Sequence, residues 1–199
     1  MNAFWLKRGS LAAALVAAMA VAGCGDFVRQ SRSPSQLVIV RILTVAGTGS
    51  VPDTGFVSGP LLSDVAAPGQ TTFDDFGQVT LRAMRRDPLH PAAASDINDV
   101  TVTRYRVTYR RSDGRNTPGI DVPRAFDGAV TVTLGVGDEV DAVFELVRHV
   151  AKLEAPLAVL GTSPVVLTTI ADVTFFGRDQ AGNDLSVTGN VQINFANFN

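Results

Sequence analysis

Two histidines are the side chains in this 199-residue sequence best suited to bind a metal or transfer a proton. His90 lies in a proline-bounded stretch that predicts a loop, and His149 follows Arg148 in an apolar segment that predicts the face of a sheet. A zinc site needs ligands at short spacings, as in the HExxH motif, and neither histidine has such neighbours. The sequence therefore predicts no metal and no cofactor.

Asp53 begins an Asp-Thr-Gly tripeptide, the residue order found at the active site of aspartic peptidases. That chemistry needs two aspartates that share a proton, and the sequence holds one copy. The copy follows a proline and precedes a bulky phenylalanine, which predicts a turn. Asp75 begins an Asp-Phe-Gly sequence that imitates a kinase motif, but the glycine-rich loop and catalytic loop of a kinase are missing.

A row of arginines is the one charged feature that stands out on a predicted strand. Arg104, Arg106 and Arg110 share one face because side chains alternate along a strand. Such a row is suited to an anionic partner, such as lipid headgroups, an anionic glycan or an acidic protein face. The alternative is an ordinary solvated sheet face whose arginines pair with carboxylates across strands. The three arginines are the candidate binding surface.

The first 23 residues predict a secretory signal. Lys7 and Arg8 supply a positive start, and residues 11–23 follow without a charge. This apolar run is shorter than the roughly 20 residues that a membrane-spanning helix needs, and it ends in small residues. The signal ends in Val-Ala-Gly followed by Cys24, which resembles the lipobox of bacterial lipoproteins. Cys24 is also the only cysteine in the chain.

The resemblance to lipoproteins implies that the Cys24 thiol receives a diacylglycerol and that the chain is cut just before Cys24. Each buried methylene contributes about 0.8 kcal/mol, so two or three acyl chains would hold the protein firmly to a membrane. Gly25, and not an aspartate, follows Cys24, which in this family favours the outer membrane. We therefore expect a lipid-anchored protein of the bacterial cell envelope.

Residues 1–23 are thus the expected signal peptide, 24–36 the lipidated cysteine with a polar tether, and 37–199 a single domain. Without Lys7 and Arg8, 15 basic residues face 19 acidic ones, a formal charge of −4. An acidic chain has no overall electrostatic reason to bind nucleic acid. Because Cys24 is the only cysteine, the sequence also excludes a disulfide framework and a cysteine nucleophile.

The domain itself has the pattern of strands separated by turns. Apolar and polar residues alternate over residues 79–84, 130–136 and 184–195, which is typical of half-buried strands. A change of phase near Thr103 predicts a β-bulge, and Gly189 predicts a bulge or kink in the last strand. Residues 37–45 predict a strand buried on both faces. Residues 141–153 fit a strand or a helix, and we favour a strand.

Tyr105-Arg106-Val107-Thr108-Tyr109 resembles a central strand of fibronectin type III modules. Residues 173–183, which end in Asp-Gln-Ala-Gly-Asn, resemble the final hairpin of bacterial immunoglobulin-like modules. The chain is also similar to a group of envelope lipoproteins with no assigned activity. These resemblances imply an all-β fold, an immunoglobulin-like antiparallel β-sandwich. The chain departs from antibody-type domains because its domain lacks a cysteine pair and a core tryptophan.

Two functions remain open. The first is a non-catalytic binding or scaffolding module, anchored to the membrane through Cys24, whose ligand the sequence does not identify. The alternative is an envelope hydrolase with an unrecognised site near Asp53 or His149. A cleft with converging titratable groups beside either residue would favour the hydrolase, whereas a filled sandwich would favour the binding module.

Overall fold

A computed structural model describes residues 33–67, 69–87, 89 and 96–198. The expected signal peptide, Cys24 and His90 lie outside these residues. Within these residues, eight strands account for most of the backbone, and no helix is long and apolar enough to cross a membrane. The elements are β1 Ser35–Val45, β2 Leu61–Asp64, β3 Asp75–Arg85, a 3-10 turn Asp96–Asn98, β4 Val100–Arg110, β5 Phe126–Leu134, β6 Glu139–Val147, helix α1 His149–Lys152, a 3-10 turn Ala158–Thr162, β7 Leu167–Asp179 and β8 Asp184–Ala196.

Two packed sheets confirm the predicted all-β sandwich. One sheet has the order β1-β3-β6 and the other the order β2-β8-β7-β4-β5. All neighbouring strands are antiparallel except β2 and β8, which run parallel. Consecutive strands stay in one sheet only from β4 to β5 and from β7 to β8, and the chain changes sheet at every other step between the described strands.

The alternating pattern in the sequence sets which face of each strand is buried. In β5 the inward and outward residues alternate along the whole strand, and in β8 the apolar residues predicted on one face include the fully buried Ile193 and Phe195. The predicted bulge in β4 is confirmed, because its pairing with both neighbours shifts between Val102 and Arg104. The shift places Tyr105 and Val107 inside the sandwich and the arginines outside it.

Three expectations for the strands need correction. β1 is not buried on both faces: it lies at the edge of its sheet, beside β3, and Val40 is 47% exposed. Gly189 causes no bulge, since β8 pairs with β7 in one unbroken register; a Cβ there would instead approach Ile42 Cδ1 to 2.7 Å across the sandwich. Residues 141–153 are a strand only as far as Val147, and α1 follows at His149.

Aromatic side chains fill the space between the sheets. Tyr105 lies edge-on to Phe144, with ring centroids 5.3 Å apart, and Phe144 lies edge-on to Phe175 at 5.2 Å. A Cβ on Gly128 would lie 2.2 Å from Cζ of Tyr105, so β5 can approach this ring only with a glycine there. The hydroxyl of Tyr109 donates a hydrogen bond of 2.7 Å to the carbonyl oxygen of Leu146, which ties β4 to β6. The tyrosines predicted to face inward therefore do so.

Most of the long connections lie at one end of the sandwich. We call this the loop end; it carries residues 46–74, 111–125 and 148–166. The opposite end, which we call the turn end, carries the start of β1 at Ser35, the short turns 135–138 and 180–183, and one long connection, residues 86–99 between β3 and β4. Binding sites of β-sandwiches usually lie on loops held by the rigid sheets, so the loop end is the first place to search for one.

Candidate functional site

The arginine row lies on the outer face of the larger sheet, and each of its members has a carboxylate partner. Arg104 and Arg106 share Asp127 of β5, at 2.7 and 3.4 Å. Arg110 donates to Asp172 of β7 at 2.7 Å. This is the cross-strand pairing expected of a solvated sheet face. Two carboxylates leave the three arginines with a small residual positive charge.

Asp53 is exposed in the loop between β1 and β2. The Asp-Thr-Gly tripeptide ends at Gly55, whose φ of +89° is a turn conformation that glycine adopts readily. The predicted turn is therefore confirmed. Asp53 does not line either of the two larger clefts described next.

A cleft of about 510 Å³ opens at the loop end, between the loop that follows β1, the chain before β3, and α1. A second cleft of about 270 Å³ continues from it along β5 and β6, and the two share Val51, Phe76 and Glu145 as walls. We call the larger one the loop-end cleft. Its walls are Gly49, Ser50, Val51, Thr71, Thr72, Phe73, Asp74, Phe76, Glu145 and His149.

His149 and Asp74 are joined by two contacts in the loop-end cleft. Oδ1 of Asp74 accepts the backbone N–H of His149 at 2.6 Å and lies 2.8 Å from Nδ1 of its ring. Partial burial raises the pKa of the Asp74 carboxyl, but the two contacts with His149 outweigh it and hold the pKa below its ordinary value. His149 therefore begins α1 and does not lie on a sheet face, which corrects the sequence expectation.

Several polar groups of the loop-end cleft have no partner among the described residues. Both hydrogen bonds to Asp74 end on Oδ1, which leaves Oδ2 as an acceptor. Arg148 donates to Oε2 of Glu145 at 3.2 Å, which leaves Oε1. The hydroxyl-bearing residues Ser50, Thr71 and Thr72 line the same cleft. Polar groups of this kind are what a ligand would engage.

A buried ion pair lies beneath the cleft. Nζ of Lys152 is 2.9 Å from Oδ2 of Asp75, and the two side chains are 2% and 1% exposed. Ser63 of β2 donates to the same oxygen at 2.5 Å, and the backbone N–H of Gly47 donates to Oδ1 at 3.0 Å. Burial raises the pKa of Asp75 above its ordinary value, against the attraction of Lys152.

This ion pair is a structural element and not a reactive site, because solvent does not reach it. It links α1, β2 and β3, and so fixes the floor under Asp74 and His149. Sequence reasoning did not identify the pair. Asp75 was noted only because it begins a kinase-like tripeptide. Lys152 lies in a segment that was interpreted from its apolar residues, so its charge was not considered.

The loop-end cleft brings the titratable side chains of Asp74, Glu145 and His149 together, which is the arrangement that we expected to favour a hydrolase. A His–Asp pair activates a nucleophile only if a hydroxyl or thiol contacts the second ring nitrogen. Within residues 33–67, 69–87 and 96–198, no hydroxyl is hydrogen-bonded to the His149 ring. The same part of the chain holds no group of three or more acidic, histidine or cysteine side chains suited to a metal ion. Comparisons with models of protein families and with curated proteins found no match.

Proposed function

We propose that the protein is a bacterial envelope lipoprotein, anchored by lipid at Cys24, whose immunoglobulin-like domain is a non-catalytic binding or scaffolding module. The observation that carries the proposal is the order of its parts. Cys24 stands in a lipobox just before a β-sandwich, and most of the long connections of that sandwich, including those that line the loop-end cleft, lie at the end opposite the start of β1. A lipid at Cys24 would therefore leave the loop end facing away from the membrane.

The immunoglobulin-like assignment is supported by the strand order. The sheets β1-β3-β6 and β8-β7-β4-β5, with sheet changes between them, match the division of strands in immunoglobulin-like sandwiches. Tyr105 lies on the central strand β4, as in fibronectin type III modules, and the turn from Asp179 to Asn183 closes the last hairpin. The parallel pairing of β2 with β8 adds a strand to that arrangement.

Anchoring is tested by labelling and fractionation. Cys24→Ala should abolish incorporation of labelled palmitate and leave the protein outside the washed membrane fraction. Ser31→Ala, a tether substitution that keeps Cys24, should be labelled and retained like the wild type. Retention of unlabelled Cys24→Ala in the outer-membrane fraction would contradict the lipoprotein assignment, and recovery of the labelled wild type in the inner membrane would contradict the location.

The loop-end cleft, and not the arginine row, is the surface that we propose for binding. Arg104, Arg106 and Arg110 already have carboxylate partners, whereas the cleft holds polar groups without partners. Cross-linking of intact cells, followed by purification of the lipidated protein and mass spectrometry, should place the linked residues at the loop end. Cross-links confined to β4 would favour an acidic partner on the arginine row instead.

A hydrolase remains the second candidate, and one observation favours it: the ring of His149 is held by Asp74 at the edge of a cleft. Chromogenic esters, amides and phosphoesters would test this candidate. Turnover lost in His149→Ala and kept in Asp53→Ala would establish a hydrolase at this cleft and contradict the binding module. No turnover of these substrates agrees with the binding module.

A further inference from the structure

We infer that the loop-end cleft binds a neutral saccharide. The inference rests on the proposed function as a binding module and adds the chemical class of its ligand. Three features carry it: carboxylate oxygens without a partner among the described residues, hydroxyl-bearing residues in the same cleft wall, and an exposed aromatic ring. The consecutive residues 71–74 supply part of each feature, and the fold adds Ser50 from the loop after β1 and Glu145 from β6.

The acceptor oxygens are Oδ2 of Asp74 and Oε1 of Glu145. Each carboxylate is held through its other oxygen, by His149 in one case and Arg148 in the other. Arg148 is fixed in turn, since it lies 4.1 Å over the ring of Phe126 and donates to the carbonyl oxygen of Asp127 at 2.9 Å. Binding costs less when the groups that meet the ligand are already ordered.

The aromatic wall is Phe73, which is 38% exposed. A Cβ on Gly49 would lie 3.0 Å from Cε1 of Phe73, and Gly49 has a φ of +102°. The ring therefore packs closely against a backbone turn that favours glycine, and one part of it stays open to solvent. A ring in this position offers an apolar surface to the C–H face of a sugar.

Charge decides which saccharides fit. The carboxylate oxygens of Asp74 and Glu145 can only accept hydrogen bonds, so they suit a ligand that donates and would oppose a carboxylate or phosphate brought against them. Neutral sugar hydroxyls can donate to the carboxylates and accept from Ser50, Thr71 or Thr72. A volume of about 510 Å³ is within the usual range for small-ligand sites.

An array of neutral and anionic oligosaccharides tests the inference, with the full lipidated protein in a detergent that has no sugar headgroup. We expect at least one neutral oligosaccharide to bind and the anionic ones to be excluded. Titration of the bound oligosaccharide against Phe73→Ala and Glu145→Gln should show affinity reduced about tenfold or more, equivalent to about 1.4 kcal/mol. Phe198→Ala and Glu154→Gln are the matched controls, since both are exposed residues outside the cleft, and they should bind like the wild type.

Thermal unfolding of each variant shows whether a loss of binding comes from a loss of folding, and Glu145→Gln is conservative enough to keep the shape of the side chain. The inference would be overturned if no neutral oligosaccharide bound, or if both cleft variants bound the oligosaccharide as the wild type does. Neither result affects palmitate labelling at Cys24, so a failure of the saccharide inference remains distinguishable from a failure of the proposed anchoring. Binding of anionic glycans that is lost in Arg106→Ala would also overturn it, in favour of the arginine row.

Discussion

Lys152 and Asp75 form an ion pair of 2.9 Å that solvent does not reach. The pair joins the helix after β6 to the first residue of β3, and the hydroxyl of Ser63 brings β2 to the same point. A charge in such a position is tolerated because its partner and its hydrogen bonds are present. The first prediction follows from that condition.

Lys152→Met should lower the free energy of unfolding by about 3–5 kcal/mol, since it leaves the Asp75 carboxylate buried without its partner. Chemical denaturation of the two proteins measures the difference. Arg178→Met is the control, because it breaks an ion pair whose side chains are 63% and 36% exposed and should cost less than about 1 kcal/mol. Equal losses in the two variants would show that burial of the Lys152 pair has no special effect.

Gly128→Ala should destabilise the sandwich by about 1–3 kcal/mol, in the range seen when a well-packed core is overfilled. The new methyl group would meet the ring of Tyr105, which Phe144 and Phe175 hold from the other side. Thermal and chemical unfolding measure the change. Thr131→Ala, an exposed substitution in the same strand, should stay within about 0.5 kcal/mol of the wild type. A Gly128→Ala protein as stable as the Thr131→Ala protein would contradict the close approach of β5 to the ring.

Protonation of Asp179 at acidic pH should lower the stability that this residue gives to the last hairpin. Burial raises the pKa of this carboxyl, but hydrogen bonds from Asn183 and Ser33 outweigh it and hold the pKa below its ordinary value of 3.8. The unfolded chain then binds a proton at a higher pH than the folded one, so the stability that Asp179 provides is present above about pH 4 and lost as the pH falls below it.

Asp179→Asn tests this pH dependence. At neutral pH the variant should be less stable than the wild type, and between about pH 5 and pH 3 its stability should fall less steeply. Denaturation curves at several pH values measure both effects. Parallel stability profiles for the two proteins would show that Asp179 titrates normally in the fold.

Both tyrosines should stay protonated in the folded protein at pH values well above their ordinary pKa. Burial, aided by the Glu145 charge, raises the pKa of Tyr105 to about 12, and burial raises that of Tyr109 further still. The chain has two tyrosines, so tyrosinate absorbance reports on these two residues alone.

Native protein at about pH 11 should therefore show almost no tyrosinate, whereas denatured protein should titrate near pH 10. Because the unfolded chain loses these protons first, stability should decline as the pH rises above about 10. Tyr105→Phe provides the control, since Tyr109 is then the one tyrosine left. The tyrosinate absorbance of this variant should appear at a higher pH than that of the wild type. A native titration near pH 10 would contradict the buried positions of both rings.

Local alternation was enough to predict β4, β5 and β8, because each of these strands has one face in the core and one in solvent. The bulge near Thr103 could be read in the same way, since an extra residue reverses the alternation after it. The inward positions of Tyr105 and Tyr109 followed from that reversal.

Features that depend on distant parts of the chain were not predictable. Whether residues 37–45 form an edge or a central strand depends on which strands lie beside them, and local sequence patterns do not show which strands pair. Gly189 was interpreted as a local irregularity, but a glycine is needed there because the side chain of Ile42, in the other sheet, leaves no room for a Cβ. The loop-end cleft depends on Asp74 meeting His149, and the buried pair on Asp75 meeting Lys152. No local pattern shows that these residues come together.

The direction of β1 and β8 has a mechanical consequence. β1 starts at the turn end and β8 finishes at the loop end, so a pull between an anchored tether and a partner held at the loop end would act along the strands. Hydrogen bonds in antiparallel ladders lie across that direction. The β1–β3 ladder would then be loaded in shear, with many bonds sharing the force, instead of being unzipped one bond at a time.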